Sequence, residues 1–406
     1  MLPQPSCREN CGAACLTDRH PWGGVTPIAD PGMDMDRRAF LTLAAAGGGA
    51  LALPPASWAR SGPPVLERLN TDPTRIIRTV AGLRPFRPTG YVVQAERFSR
   101  RQTLVHHYGH GGAGVTTSWG TTAEAVQALE TATNERSCAV IGSGVIGLTT
   151  GLELVRRGHD VTIYADALPP YTTSNIAGAY WGIAGLYRRT DVDAPFLERM
   201  SVAALRSHRA FQHLANDPRY GVYWVRAFDL FHRPPSDPTG APDMPWLYPG
   251  FRRRAGADAW WGYQGVDQFH QLMIDPDIYL RALTADFERA GGRIRMARFE
   301  TQRDLSRLRE RVIVNCTGLG ARALFGDEAL EPVRGQLTIL LPQPGIDYAY
   351  TTSFEGASLY MFPRRGAIVL GGSHGRGDWS LDIDSTEQDR QLRGHAELAQ
   401  RIAGEI

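Results

Sequence analysis

The order of apolar and polar positions is clearest in the stretch that begins at Cys138. Cys138–Ile141 and Val161–Tyr164 are short, continuously apolar runs, which predict two buried strands. Between them, apolar residues recur at helical spacing from Leu148 to Val155, and Gly158 stands where a left-handed residue ends a helix. The pattern therefore predicts a strand–helix–strand unit.

A glycine fingerprint joins the first of these strands to the helix. Gly142 allows the tight turn, Gly144 lets main-chain amides approach a pyrophosphate, and Gly147 lets the helix pack closely against the strand. The helix N-terminus supplies partial positive charge, and Asp166 is placed to accept hydrogen bonds from ribose hydroxyls. The unit predicts a bound dinucleotide but does not distinguish FAD from NAD. The residues predicted to contact it are Gly142, Gly144, Val145, Ile146, Gly147 and Asp166.

The N-terminal part of the sequence has the pattern of an export leader. Arg37-Arg38 precede Leu41–Leu53, an apolar run rich in Ala and Gly, and small residues follow it. Residues 35–59 resemble a twin-arginine export signal, so we expect a periplasmic or extracellular protein; if the arginine pair is accidental, the protein is cytoplasmic. The run is too short to span a membrane, so we expect no stable membrane insertion. We interpret residues 1–34 as an over-long reading of the gene.

The composition excludes several classes of chemistry. The 44 Lys+Arg residues are all arginine, and the missing lysine excludes a pyridoxal Schiff base and a phosphate-loop lysine. The formal net charge is only +2, and the arginines are interspersed among acidic residues, so the sequence does not predict a nucleic-acid-binding surface. After the leader the cysteines are Cys138 and Cys316, each within an apolar run, and we expect two buried free thiols.

Further motifs extend over most of the chain. Two of them carry the most information, Gly82–Pro88 (GLRPFRP) and His106–Gly114 (HHYGHGGAG). The others are Thr172–Trp181, Val312–Ala321, Pro332–Gln336, Tyr360–Pro363, Ile368–Gly372 and Gly377–Ser380. Together they resemble the D-amino-acid oxidase family from about residue 65 to the end of the sequence. The resemblance implies an α/β fold, with a Rossmann-type FAD-binding domain and a second, mainly antiparallel-sheet substrate domain, and it implies FAD as the cofactor.

The resemblance also implies roles for individual residues. Arg84 would bind the substrate carboxylate through two hydrogen bonds, and Tyr360 would add a phenolic one. The Gly112 carbonyl would accept a hydrogen bond from the substrate amine, and Thr116 would face the pyrimidine end of the flavin. The remaining residues implied to contact FAD are Gly111, Gly114, Thr172, Thr173, Gly178 and Thr317.

The implied reaction is the FAD-dependent oxidative deamination of neutral or small D-amino acids. Hydride transfer from Cα to flavin N5 leads to a 2-oxo acid and ammonia, and dioxygen is reduced to hydrogen peroxide. The small-molecule partners are thus a D-amino acid and dioxygen, and a homodimer is compatible with the resemblance. His106, His107 and His110 could form a metal site, but the glycines beside them favour backbone approach, and no metal is predicted.

Three alternative functions stay open at this point. A D-aspartate oxidase would need further cations for a second carboxylate, and Arg364 and Arg365 are the candidates. A flavin-binding protein without turnover is the second alternative. An NAD-dependent dehydrogenase is the third, but it would leave the histidine–glycine motif unexplained.

One residue departs from the family pattern. The family has a second tyrosine four residues before the one that matches Tyr360, and that position is Gly356 here. Tyr350 or Tyr348 could reach the site instead, and the loop from Phe354 to Ser358 would then be a different lid.

The order of the motifs departs from the family as well. There the arginine–proline strand and the histidine–glycine loop lie near the C-terminus, whereas here they precede the glycine fingerprint. We interpret this as circular permutation, with a mis-assembled gene as the rival, and Thr121–Arg136 would be the helix and linker that join the moved segment to the first strand. The expected division is 62–135 for the permuted segment, 136–222 for the start of the FAD-binding domain, 223–276 and 336–363 for the substrate domain, and 277–335 and 364–406 for the rest of the FAD-binding domain.

Overall fold

Two sheets hold the strands of the computed structural model, which describes residues 62–234 and 244–405. The expected leader (1–34) and export signal (35–59) lie outside the described residues. In the described part of the chain, no helix is long and apolar enough to cross a membrane. No group of three or more His, Cys, Asp and Glu side chains in these ranges is arranged to hold a metal ion.

Strands and helices alternate along the chain. The described strands are β1 (Ile76–Phe86), β2 (Val92–Arg97), β3 (Thr103–Tyr108), β4 (Ser137–Ile141), β5 (Asp160–Ala165), β6 (Val222–Phe231), β7 (Arg252–Ala255), β8 (Gly265–Ile274), β9 (Arg293–Met296), β10 (Val312–Asn315), β11 (Glu331–Leu340), β12 (Tyr348–Phe354), β13 (Ala357–Arg364), β14 (Ala367–Gly371) and β15 (Gly375–Arg376). The described α-helices are α1 (Gly114–Ala132), α2 (Val145–Arg156), α3 (Ala194–Leu214), α4 (Pro276–Arg289), α5 (Gln302–Ser306), α6 (Gly320–Phe325) and α7 (Ser385–Ala403).

The predicted strand–helix–strand unit is present as β4, α2 and β5. It belongs to a six-stranded sheet in the order β2-β3-β10-β4-β5-β9, which is parallel except for the β2–β3 pair. The core residues of α2, such as Leu148 and Leu152, are fully buried, because the helix packs on the sheet with the apolar face that its sequence period predicts. The carboxyl ends of β4, β5 and β10 meet at one edge, which is where ligands bind in sheets of this kind.

The second sheet has nine strands and is mainly antiparallel. Its order is β1-β11-β14-β13-β12-β6-β8-β7, with β15 paired to β11, and β6 and β12 form its parallel pair. Helix α7 covers one face, where Leu392 and Leu398 pack in the same cluster as Tyr348 and Tyr350. The opposite face is directed toward residues 176–180 and the first sheet.

The sheets and the expected domain division differ over residues 364–406. The expected division gives these residues to the FAD-binding domain, but β14 lies between β11 and β13 in the nine-stranded sheet, and α7 packs on that sheet. A tight turn at Arg365-Gly366 returns the chain antiparallel to β13, and this keeps it within the same sheet. Strand β11, which begins at Glu331, also belongs there rather than starting at the expected boundary of 336.

Residues 62–132 contribute to both sheets. Strand β1 pairs with β11 along ten residue pairs, β2 and β3 extend the six-stranded sheet, and α1 packs against α2 and α3. The residues that lead into β1 lie beside the end of α7: Arg68 forms a 2.6 Å ion pair with Glu405, and Leu69 shares a core cluster with Leu398.

Aspartate side chains cap the starts of two helices. The Asp193 carboxylate accepts a hydrogen bond from the Phe196 amide at 2.9 Å, and α3 begins next to it. The Asp275 carboxylate accepts one from the Asp277 amide at 3.3 Å at the start of α4. Each helix has proline in its first turn, where a missing amide hydrogen costs nothing.

The prediction of two buried free thiols is confirmed. Cys138 and Cys316 are both buried and unpaired within the described residues. Burial raises the pKa of each thiol to about 12, so both are neutral and unreactive at physiological pH.

Buried neutral histidines hold helices to both sheets. His107 on β3 lies 3.0 Å from the Thr150 hydroxyl and 2.9 Å from the Thr121 hydroxyl, and His110 lies 3.1 Å from Thr121. Burial lowers the pKa of His110 to about 3 and that of His107 well below its ordinary value. On α7, burial likewise lowers the pKa of His395 to about 3.

These histidines predict a loss of stability in mild acid. Their pKa values are lower in the folded protein than in the unfolded chain, so their contribution is complete above about pH 6.5 and is lost as the pH falls below it. At pH 5.5, His110 and His395 should each remove about 1 kcal/mol from the free energy of unfolding. Urea unfolding of the FAD-loaded protein at pH 7.5 and 5.5 measures this, and His395→Gln should reduce the difference. An equal unfolding free energy at the two pH values would contradict the prediction.

Candidate active site

A cleft of about 710 Å³ opens at the carboxyl edge of the six-stranded sheet and extends to β1 and β11 of the nine-stranded sheet. It brings together segments that are far apart in sequence. They are residues 82–85, 107–112, 114–115, 141–146, 164–167, 171–174, 176–178, 297–300, 316–320, 323–324, 335 and 337. One cleft therefore contains both the glycine fingerprint and the histidine–glycine motif.

The glycine fingerprint has the geometry that the sequence predicts. Gly142 has φ +109°, and a Cβ atom there would lie 2.5 Å from the Cys316 carbonyl oxygen. A Cβ atom on Gly147 would overlap the Gly142 carbonyl, so the helix approaches the strand too closely for any side chain. The first turn of α2, with Val145 and Ile146, faces the cleft, and the first-turn amides that no side chain engages are available for an anion.

Asp166 and Thr317 lie at two strand ends beside the fingerprint. Asp166 follows β5 with an exposed side chain that lines the cleft, and Thr317 follows β10. The Thr317 hydroxyl donates a 2.7 Å hydrogen bond to Asn315 Oδ1. Asn315 is fully buried and was not predicted from the sequence, because its role is to hold its neighbour.

The segment after β5 brings three predicted residues to the cleft. Thr172 is buried and donates a 2.8 Å hydrogen bond to Asn175 Oδ1, whereas Thr173 is exposed. Gly178 lines the cleft near the nine-stranded sheet. A residue not predicted there, Ser174, accepts a 3.0 Å hydrogen bond from the Val145 amide at the start of α2.

The histidine–glycine loop packs against another loop of the chain. Gly111 has φ +53°, and a Cβ atom on it would overlap the Gly185 carbonyl oxygen. The Gly112 amide donates a 3.0 Å hydrogen bond to the same carbonyl. A Cβ atom on Gly112 would lie 3.6 Å from Arg84 Cδ, so the loop meets the Arg84 side chain at the cleft. Gly114 begins α1 and also lines the cleft.

The placement of Thr116 differs from the expectation. Its side chain is buried and does not line the cleft. The hydroxyl donates to the carbonyls of Ala113 at 3.0 Å and Gly182 at 2.6 Å. In the first turn of a helix a threonine side chain readily bonds to nearby carbonyls, and this turns it away from the predicted flavin contact.

Arg84 projects from β1 over a glycine of the neighbouring strand. A Cβ atom on Gly335 would overlap the guanidinium. The hydrogen bonds of Arg84 go to two main-chain carbonyls, those of Arg334 and Ser373, each at 3.4 Å. Among the described residues no carboxylate lies within ion-pair distance of it. The guanidinium is therefore available for an external anion.

Tyr360 projects from the same sheet face as Arg84. A Cβ atom on Gly371 of β14 would overlap its ring, and the hydroxyl lies 3.6 Å from the Cβ position of Gly178. In the register, Gly371 lies on the strand next to that of Gly335 and is offset from it by two residues. This corresponds to about 8 Å between their Cα atoms. A small carboxylate can thus lie between the Arg84 and Tyr360 side chains.

The candidates for the second tyrosine are wrong. Tyr348 and Tyr350 project from the opposite face of the sheet, where their hydroxyls bond to the Glu67 carbonyl at 2.7 Å and to His395 at 2.5 Å. Because side chains alternate along a strand, neither tyrosine can reach the face of Tyr360.

The expected lid is also absent. Glu355 and Gly356 form a two-residue turn between β12 and β13, with φ of +49° and +77°. The carboxylate of Glu355 forms a 3.1 Å ion pair with Arg393 of α7, which holds the turn toward that helix.

The model of the family named FAD dependent oxidoreductase (DAO) matches residues 137–404. The chain belongs to this family. A D-amino-acid oxidase from Rubrobacter xylanophilus is 32% identical over 274 residues, which are 65% of this chain and 78% of that protein. A D-aspartate oxidase from Homo sapiens is 30% identical over 262 residues, 63% of this chain and 73% of that protein. Glycine oxidase from Geobacillus kaustophilus has a similar fold, with a TM-score of 0.52 and 17% identity over 66% of this chain and 79% of its own.

FAD, the cofactor of the DAO family, fits the residues of the cleft. The two positions at Gly142 and Gly147 where a Cβ atom would collide form a cradle beside the N-terminus of α2, as a pyrophosphate requires. Asp166 would hold the ribose, and the loop from Gly111 to Gly114 would lie against the ring system. The matched range of the DAO family begins at residue 137, yet Arg84 and this loop lie before it.

The two arginines proposed for a second carboxylate are engaged elsewhere in this DAO-family protein. Arg364 is buried, and its guanidinium donates to the Ala177 carbonyl. Arg365 is exposed, with its guanidinium 5.5 Å from the centre of the Tyr223 ring. Neither arginine is arranged with Arg84 around a common site.

Proposed function

We propose that the protein is a D-amino-acid oxidase, which converts D-amino acids to 2-oxo acids and ammonia and reduces dioxygen to hydrogen peroxide. The observation that carries the proposal is the Arg84 guanidinium, which has no carboxylate partner among the described residues and lies against Gly112 at the end of a dinucleotide cleft. The names of the relatives support the same activity.

The substrate is held by three groups in this proposal. Arg84 pairs with the α-carboxylate, because a guanidinium matches that anion with two hydrogen bonds. The Tyr360 hydroxyl contributes a further hydrogen bond, and the Gly112 carbonyl accepts one from the amine. Three fixed points on one side of a planar ring system select one enantiomer, since they direct the Cα–H bond of only that enantiomer toward the ring.

The chain supplies orientation rather than a strong base. FAD, when bound, supplies the acceptor for the hydride that leaves Cα. The histidines that line the cleft, His107 and His110, are kept neutral by burial, and the lowered pKa of His110, about 3, makes it a poor proton acceptor. The substrate amine must therefore reach the site already deprotonated.

We further propose that the motif order results from circular permutation. Three contacts support this. The segment that leads into β1 lies beside the end of α7, as the ion pair of Arg68 with Glu405 shows. Only residues 133–136 separate α1 from β4. The moved segment also pairs with both sheets, through β1 with β11 and through β3 with β10.

Residues 35–59 remain, in our proposal, a twin-arginine export signal. Two arginines followed by an apolar, small-residue run support it. Export should place a protein that begins near residue 60 in the periplasm or medium, and N-terminal sequencing of that fraction checks it. Full-length protein confined to the cytoplasm would contradict the proposal.

The permutation predicts that the chain order can be exchanged without loss of the fold. A variant that runs from residue 134 to 405 and continues with 62–133 should bind FAD and show the same absorption spectrum as the natural order, because the joined ends lie close together. If only the rearranged variant were soluble and yellow, the order in this chain would come from a mis-assembled gene.

The proposed activity predicts the effect of Arg84→Lys. Lysine keeps the charge but loses the paired hydrogen bonds, so kcat/KM for D-alanine or D-valine should fall about 10- to 100-fold with an unchanged flavin spectrum. Hydrogen peroxide release over a panel of D- and L-amino acids measures this. Arg78→Gln is the matched control, because Arg78 is an exposed arginine on the same strand, and it should leave the activity unchanged.

Two results of this experiment would contradict the proposal. One is an Arg84→Lys variant as active as the natural protein. The other is a yellow protein that no D-amino acid bleaches under anaerobic conditions, which indicates flavin binding without turnover. Bleaching by D-aspartate alone would indicate a D-aspartate oxidase instead.

A further inference from the structure

A row of polar side chains continues from Tyr360 across the nine-stranded sheet. Tyr360 pairs directly with Thr351 of β12, Thr351 pairs with Asp229 of β6, and Asp229 pairs with Asp267 of β8. Directly paired residues project from the same face of a sheet. The row therefore lies on the face that carries the proposed carboxylate site.

The row contains one carboxylate without a cation. Asp267 is neutralised by Arg253, through hydrogen bonds of 2.7 Å and 2.6 Å. Asp229 accepts a 2.6 Å hydrogen bond from Thr351, but no described arginine or histidine lies within ion-pair distance of it. Although β6 lies inside the sheet, the Asp229 side chain keeps part of its surface exposed.

The electrostatic surroundings of Asp229 favour an incoming cation. Burial, the largest cause, and the neighbouring charge of Asp267 together raise the pKa of Asp229 to about 6, although the hydrogen bond from Thr351 and the charge of Arg253 lower it in part. A carboxylate in such surroundings is stabilised when a positive group pairs with it.

Three stacked aromatic rings lie between Tyr360 and the surroundings of Asp229, with Tyr360 itself as the first of them. The Tyr360 and Phe362 rings are stacked with centres 4.4 Å apart, and Tyr180 stacks on Phe362 at 4.8 Å. The Tyr180 hydroxyl is buried and has no hydrogen-bond partner among the residues that the structure describes. After burial, the charge of Asp229 is the largest influence that raises the pKa of Tyr180, so the two groups are close. A buried donor without a partner and an unpaired carboxylate thus lie at the same place.

The distance across the row suits a long side chain. Two strand spacings separate Tyr360 from Asp229, which is about 10 Å between their Cα atoms. A substrate whose carboxylate lies at Arg84 and Tyr360 would extend its side chain over the aromatic rings. The aliphatic stem of arginine or lysine would contact those rings, and its charged end would reach Asp229.

We propose that this enzyme prefers D-amino acids with long cationic side chains, such as D-arginine and D-lysine, and that Asp229 determines this preference. The inference rests on the proposed oxidase function and replaces the expectation of neutral or small substrates. A short anionic side chain, as in D-aspartate, would be repelled by Asp229.

Paired substrates test the preference in the unaltered, FAD-loaded enzyme. D-arginine should have a kcat/KM about 10- to 100-fold higher than D-citrulline, which has nearly the same shape without the charge. D-lysine should exceed D-norleucine in the same way. Equal values within both pairs would overturn the inference without any variant, while turnover of D-citrulline or D-norleucine would leave the oxidase function intact.

Asp229→Asn assigns the preference to one residue. The variant should lose about 10- to 100-fold in kcat/KM for D-arginine and keep the natural value for D-norleucine, which also shows that it is folded. Asp347→Asn is the matched control, because Asp347 is an exposed acid beside the same strand, and it should change neither value. A variant that still prefers D-arginine would overturn the role of Asp229. If no D-amino acid bleached the flavin of the natural enzyme, the oxidase function itself would fail, and this inference with it.

Discussion

The packing of the Arg84 guanidinium over Gly335 is the contact on which the proposed site depends. It requires β1 to pair with β11 in a register that places the side chain above a residue with no Cβ atom. It also requires the loop at Gly112 to approach the Arg84 stem, which the hydrogen bond from the Gly112 amide to the Gly185 carbonyl stabilises. With its hydrogen bonds directed to main-chain carbonyls, the guanidinium keeps its full charge for a substrate anion.

Much of the nucleotide-binding half could be predicted from the sequence. Short-range sequence signals specify the fingerprint at Gly142–Gly147 and the adjoining strands and helix. The capped starts of α3 and α4 depend on signals of the same kind. The resemblance also assigns Arg84 and Tyr360 to one substrate carboxylate, and their side chains project from one sheet face. The predicted elements are present because the spacing of apolar residues and the capping residues specify them locally.

The errors arose where strand pairing decides the outcome. Tyr350 is ten residues from Tyr360, yet it faces α7, because the register pairs Tyr360 with Thr351 and the side chains alternate. Asp229 could not be connected with Tyr360, because a parallel pair between strands more than a hundred residues apart brings them together. The bonds of the Thr116 hydroxyl to two carbonyls could not be predicted, because the sequence does not show which carbonyls that hydroxyl can reach.

The order of elements along the chain matters less than their contacts. Residues 62–132 precede the matched range of the family, but they supply an edge strand, two strands of the other sheet and a helix. Under the permutation that we propose, the same core would form in either order, because the ion pair between Arg68 and Glu405 brings the ends to be joined close together.

A crystal structure of the FAD-loaded protein with a bound D-amino acid, grown without oxygen, tests the central claim most directly. The account predicts the substrate carboxylate about 3 Å from the Arg84 guanidinium, with Gly112 beside the substrate amine. A substrate bound away from Arg84, or residues 62–132 packed elsewhere than against β11 and β10, would contradict it.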